Sequence, residues 1–143
     1  MSEPVSIHAA KTGRYFSRFE MAVMPLIATA SDKAGLEARI RDVRARIAFY
    51  ASTPTYLIAF ESQGYGEVAR SLQSYSRAQR WDEMPGFISD EMLDHYAVIG
   101  THDEIAGKLN ERFSGVANHL EFAIPVASEA DKASLRSLLA SLR

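Results

Sequence analysis

Only two stretches of this sequence read as β-strand, and the chain between them is patterned mostly as helix. Residues 19–28 (FEMAVMPLIA) form a nearly continuous apolar run, the length and character of a strand buried on both faces of a parallel sheet. Pro25 cannot donate to a strand ladder, so the reading places this strand mainly at 19–24. Residues 119–124 alternate Leu120, Phe122 and Ile124 against His119, Glu121 and Ala123, the period of a half-buried strand, and Pro125 ends it. Two strands are too few to cover the apolar faces of so many helices. Alternating strand and helix patterns imply an α/β parallel sheet, most of which would lie elsewhere. A complete (β/α)8 barrel takes about 250 residues, and this chain has 143. The expected fold class is therefore α/β, a partial TIM-barrel-like arrangement with few parallel strands and several helices.

The helices announce themselves by period and by caps. Leu36, Ile40, Val43, Ile47 and Tyr50 recur at steps of four and three, with Ser31 or Asp32 able to cap the start. Glu37 with Arg41, and Asp42 with Arg46, are acid-first pairs four apart on its solvated face. Ser52-Thr53-Pro54 breaks this helix, because the residue before proline disfavours helical geometry. Residues 56–60 fit strand or helix equally. Gly64 and Gly66 bracket a turn before a helix marked by Val68, Leu72 and Tyr75. Trp81 opens a short segment interrupted at Pro85-Gly86 and is expected to anchor a helix to the core. Ser89 can cap a piece carrying Met92, Leu93 and Tyr96. Thr101 to Glu104 spells a capping box for a helix bearing Ile105, Leu109 and Phe113, which Ser114-Gly115 stops. Ser128 with Asp131 caps a last helix over 127–143, with Leu135, Leu138, Leu139 and Leu142. Near the start, Ile7, Ala10 and Gly13 suggest the tail of another helix.

Composition removes several classes of function. Sixteen basic against eighteen acidic residues leave a net charge of −2, which offers no excess to neutralise a nucleic-acid backbone. The absence of cysteine excludes disulfides, thiolate metal sites and cysteine nucleophiles. The longest apolar stretch, 21–28, is far shorter than the ~20 residues a membrane span needs. The opening Met1-Ser2-Glu3-Pro4 lacks the basic start of a signal peptide. A cytoplasmic protein with no membrane or nucleic-acid partner is expected, and the preference for Arg over Lys suggests a GC-rich bacterial genome. Glu91 and His95 share a helix face at a spacing that suits metal ligands. No third ligand follows and HExxH is absent, so a solvated pair and no metal is the expectation. Gly64-Tyr65-Gly66 lacks the third glycine of a phosphate-binding loop.

The order and spacing of three segments carry a family likeness. RIAFYASTPTY (46–56), WDEMPGFISDEML (81–93) and AVIGTHDEIAGKL (97–109) resemble the C-terminal part of the luciferase-like oxidoreductases, in particular the deazaflavin-dependent class. AAKTGR (9–14) resembles the end of the helix before that family's penultimate strand. The likeness covers about 8–126, within a single partial domain over 1–143. The family's Gly-Thr-Pro helix start reads here Gly100-Thr101-His102, without the proline. The resemblance implies hydride transfer between a deazaflavin coenzyme or FMN and a small organic substrate. It also implies a barrel completed by a complementing fragment or by a second copy in a homo-oligomer. The alternative is a non-catalytic truncated fragment acting as an oligomeric or interaction module.

Barrel sites lie at the C-terminal ends of the strands. Thr29 is the nearest hydroxyl to the end of the first strand, and Ile124 to Val126 would form the end of the last. Tyr50, Ser52, Thr53 and Tyr56 follow the long helix and are expected to project toward the same mouth as cofactor or substrate contacts. The alternative, which the residue types favour, makes Tyr50 and Tyr56 core aromatics and Ser52-Thr53-Pro54 only a turn. His102, in the first turn of its helix, is expected to be exposed, and His119 to sit at a rim.

Overall fold

The computed structural model describes residues 20–142. The expected helix tail around Ile7, Ala10 and Gly13 lies outside them. The first apolar run divides at Pro25 into β1 (Ala22–Val23) and β2 (Leu26–Ala30). The weight of the strand thus falls after the proline and not at 19–24. A proline cannot serve inside a ladder but can stand just before one begins, and LIATA then pairs along its whole length.

The partner of β2 is β3 (Ala97–Thr101), parallel and in register from Leu26 opposite Ala97 to Ala30 opposite Thr101. No strand is expected at AVIGT from the sequence, because an apolar run this short carries no decisive period. β4 (His119–Leu120) pairs in parallel with β1, Ala22 opposite His119. It is two residues long, not the six expected. Phe122 and Ile124 nonetheless pack inward with Leu120, so the alternation predicts burial beyond the ladder. The described residues form two parallel two-stranded ladders and no closed barrel.

Helix α1 (Lys33–Ser52) starts where Asp32 accepts the Gly35 N–H at 2.7 Å and stops where Thr53 turns extended before Pro54. Val43 and Ile47 are buried, with Leu36 and Ile40 packed beside them, as the period requires. The charged face is not merely solvated. Arg44 donates to the Ile88 carbonyl and pairs with Asp90, tying α1 to the next helical layer. Asp42 pairs with Arg39 at 3.6 Å, three residues away, instead of with Arg46.

A 3-10 turn (Pro54–Tyr56) leads into α2 (Leu57–Ser62), which resolves the ambiguous segment as helix. Gly64 takes the left-handed φ of +84° in the turn before α3 (Gly66–Arg77). A second 3-10 segment (Trp81–Phe87) precedes α4 (Asp90–Tyr96), whose first turn is capped by the Ser89 hydroxyl. α5 (His102–Phe113) and α6 (Glu129–Ser141) both begin with complete capping boxes, at Thr101/Glu104 and Ser128/Asp131. α5 stops at Ser114-Gly115 as expected, with Gly115 at a φ of +73°.

The β2–β3 pair separates two apolar clusters by simple alternation. Leu26, Ala28, Ala97 and Ile99 face the cluster built on α1, α3 and α4. Ile27 and Val98 face the cluster of Ile105, Leu109 and Leu138 from α5 and α6. Among the described residues, no helix is long and apolar enough to cross a membrane.

Candidate functional site

In a parallel pair the C-terminal ends of the strands lie side by side, and here Thr29 and Ala30 stand opposite Gly100 and Thr101. Two helices, α1 and α5, begin directly after these ends. The chain beyond β4 brings Ile124 and Pro125 to the same place before α6 starts. Together they enclose a groove of about 390 Å³ whose walls include Thr29, Ser31, Gly35, His102, Ile124 and Asp131. The expected meeting of the end of the first strand with residues 124–126 is thus realised as one concavity, with Ile124 and Pro125 lining it.

Three helix N-termini point at this region, an arrangement that ordinarily attracts anions. Each is already filled by a side chain of its own. Asp32 accepts from Gly35, Glu104 accepts from the Thr101 N–H at 3.0 Å, and Asp131 accepts from the Ala127 and Ser128 N–H groups at 3.0 and 2.8 Å. The Thr101 backbone bond, then its hydroxyl, hold Glu104 below the usual carboxylate range. The Ser128 hydroxyl, then the two backbone N–H groups, do the same for Asp131. Each N-terminus thus already carries a carboxylate that accepts capping bonds, and that negative charge disfavours a further anion there.

Two of the residues that line the groove carry a buried polar atom without a hydrogen-bond partner. Thr29 is only 5% exposed, yet its Oγ1 has no hydrogen-bond partner among the described residues. The Nδ1 of His102 is likewise buried and unpartnered. His102 is therefore not the freely exposed first-turn residue that its sequence position suggests: it is partly buried and lines the groove together with the end of β2 and the start of α6. Nothing local in the sequence signals this, because the residues that share the groove with it lie far away along the chain.

The other expected site residues sit elsewhere. α1 runs back along β2, so its C-terminal end lies by the start of the strand. There Tyr50 and Tyr56, edge-on at 5.7 Å, line a cleft of about 580 Å³ with Met24, Leu26, Arg46 and Phe122. They are 39% and 47% exposed and so are not core aromatics. They also do not share the mouth with Thr29, because the twenty residues of α1 separate the two ends by about 30 Å of helix. Ser52 and Thr53 contribute no free hydroxyl: both donate to the Phe49 carbonyl, at 2.8 and 3.1 Å, and close the helix end. Trp81 is 40% exposed against Phe49 and donates to Gln79 at 3.2 Å, so it caps a surface cluster and does not anchor a helix in the core.

His95 packs edge-on against Tyr65 and Tyr96. Burial pushes the Tyr96 phenol above its ordinary value. His119 is exposed at the start of β4. No group of three His, Cys, Asp or Glu side chains suited to a metal occurs among the described residues.

Few short parallel strands among many helices, with no closed barrel among the described residues, make this a mixed α/β chain consistent with a partial luciferase-like fold. The chain belongs to the luciferase-like monooxygenase family, whose model matches residues 3–119. It is 37% identical over 134 residues to uncharacterized proteins of Mycobacterium bovis and of two strains of Mycobacterium tuberculosis, a match covering 94% of this chain and 38% of each relative. The chain thus spans under two fifths of the length of the curated relatives it matches. No solved structure matches it.

Proposed function

We propose that this chain supplies the closing strands and one wall of the active site of a luciferase-like oxidoreductase, as a single partial domain over 1–143. The reaction is hydride transfer between a deazaflavin coenzyme or FMN and an organic substrate, in a barrel completed by further polypeptide or by a second copy. The observation that carries the reading is the groove at the strand ends, with the unpartnered Thr29 hydroxyl in it, in a chain of this family.

The donors present fit the neutral part of such a cofactor and not its phosphate. Thr29 offers a hydroxyl and His102 an imidazole, whereas the helix N-termini already hold Asp32, Glu104 and Asp131. The cofactor supplies the hydride chemistry when bound. Thr29 would hold a ring or ribityl oxygen, and the burial around it would keep water from competing for that bond. Tyr50 and Tyr56 would give the second cleft an apolar wall with phenolic rims. Ser52 and Thr53 serve the turn that presents them.

A second reading, a non-catalytic interaction module, is favoured by the exposed apolar side chains Met24, Phe49 and Ile58 near the aromatic cluster. Native mass spectrometry separates the two. The chain is mixed with a polypeptide carrying the remaining part of a mycobacterial relative, with deazaflavin coenzyme or FMN added. A complex that gains one cofactor mass is the expected result. Association without cofactor gain, where the intact relative does bind cofactor, overturns the enzymatic reading in favour of the second.

A further inference from the structure

Strand β3 has two edges, and only one of them meets β2. Successive residues of a paired strand turn their N–H and C=O groups to opposite edges. The Ala97 N–H donates to the Leu93 carbonyl, and the Thr101 N–H donates to Glu104 at 3.0 Å, so neither faces β2. Ile99 has the same parity. Its backbone groups therefore lie on this outer edge too, while Val98 and Gly100 turn theirs to β2. The groove of about 440 Å³ along the outer edge is lined by β3, α5 and Asp94, and by no other strand among the described residues.

An open strand edge is a template for further strands, because its backbone groups lack partners. Here the carbonyls are taken. Arg112 donates to the Ala97 carbonyl at 2.7 Å, and Lys108 donates to the Ile99 carbonyl at 2.7 Å. The two cations stand four residues apart on one face of α5. Gly100 leaves room for the lysine stem to cross the strand: a Cβ there would stand 3.4 Å from Lys108 Cδ. An incoming strand would bring its own N–H nitrogens to about 2.9 Å from the same two oxygens. It would first have to expel a guanidinium and an ammonium.

We propose that Lys108 and Arg112 close the outer edge of β3 to strand pairing. A second copy of the chain does not add there, and strands that complete the sheet join it at other edges. Sheets of two short ladders expose much edge for their size, and cationic side chains on an edge are a recurrent means of preventing edge-to-edge association. This goes beyond the proposed function and rests on it only in saying what the completing strands belong to.

The test follows backbone amide exchange and sedimentation of the whole chain over a range of concentrations. In the parent, the Ile99 amide should exchange at least about tenfold faster than those of Val98 and Gly100, whatever the concentration. Lys108→Met frees one carbonyl and makes no change at α4; Lys108→Met with Arg112→Met frees both. The double variant is expected to associate as concentration rises, with Ile99 exchange slowed at least about tenfold in the associated state. Lys108→Arg is expected to behave as the parent, and melting curves establish which variants fold. Unchanged Ile99 exchange at every concentration in the folded double variant, or in Lys108→Met should the double variant not fold, overturns the proposal. Slowed Ile99 exchange in the parent overturns it as well, whether on self-association or in a complex with the remaining part of a mycobacterial relative. A complex that forms without slowing Ile99 and without gaining cofactor leaves the closed edge standing and removes the enzymatic reading.

Discussion

Arg112 offers the sharpest test of how the strand that carries the groove is held in place. It extends from α5 to the joint between α4 and β3. It donates to the Asp94 carbonyl at 3.1 Å, to the Ala97 carbonyl at 2.7 Å and to the His95 carbonyl. Helix α4 has seven residues, far below the ~12 at which an isolated helix becomes even marginally stable. It therefore depends on its ends: the Ser89 cap at one, and at the other Arg112, which takes the Asp94 and His95 carbonyls of its last turn. A charge-assisted hydrogen bond contributes about 1.5–3 kcal/mol where water is excluded. Only the Ala97 bond is partly buried; the other two are exposed and largely replaceable by water.

Arg112→Met, which keeps the aliphatic stem, should therefore cost about 2–3 kcal/mol. At this chain length that lowers Tm by roughly 5–10 °C. Arg112→Lys, a single point donor in place of a planar fork, should lose about half as much. Scanning calorimetry gives the totals. Amide exchange localises them, with protection falling first in α4 and at the start of β3. A melting temperature for Arg112→Met within 1 °C of the parent, or equal losses throughout the chain, would refute the reasoning.

Two further predictions follow from the same packing. Leu109 is fully buried between Val98, Ile105 and Leu138, so Leu109→Ala should cost about 2–5 kcal/mol, read as a lower denaturant midpoint at unchanged slope. A cost below about 1 kcal/mol would show that α5 is not clamped between β3 and α6. Glu104 and Asp131 both titrate below their ordinary values in the folded chain. Their contribution is thus complete above the unfolded carboxylate pKa and is lost as pH falls through the lower folded values, below about pH 4. Glu104→Gln with Asp131→Asn should accordingly lower stability above about pH 4 and flatten the acid side of the stability–pH curve without changing the slope of its alkaline side, whereas an unaltered acid limb would exclude these caps as its source.

The parts of this architecture that were legible in advance share a short range. The caps at Asp32, Ser89, Thr101 and Ser128 each join atoms three residues apart, so residue type and spacing suffice to find them. The same holds for the stripe of α1 and for the stop at Gly115. The strands were legible only as apolar runs. Their division at Pro25, and the existence of β3, depend on a ladder between residues 71 positions apart, in register from Leu26 opposite Ala97. No local pattern in AVIGT encodes which neighbour it will meet.

The candidate site divides along the same line. Thr29 was reached from the rule that strand ends carry sites, and it does line the groove there. The tyrosines were placed by adjacency to the long helix, but that helix runs back along β2 and delivers them to the opposite end. The first-turn position of His102 signals exposure, and nothing local shows that it lines a groove with α6 and the end of β2, both distant in sequence.

By itself, then, the sequence determined the helices, their caps and the family to which the chain belongs, since these depend on interactions within a turn or two and on the order of short segments. Only the tertiary structure decided which strands pair, which end of α1 meets which end of the sheet, and that Thr29 and His102 line the same groove. Those outcomes turn on parallel crossover connections, whose geometry is settled by packing between residues that local pattern cannot relate.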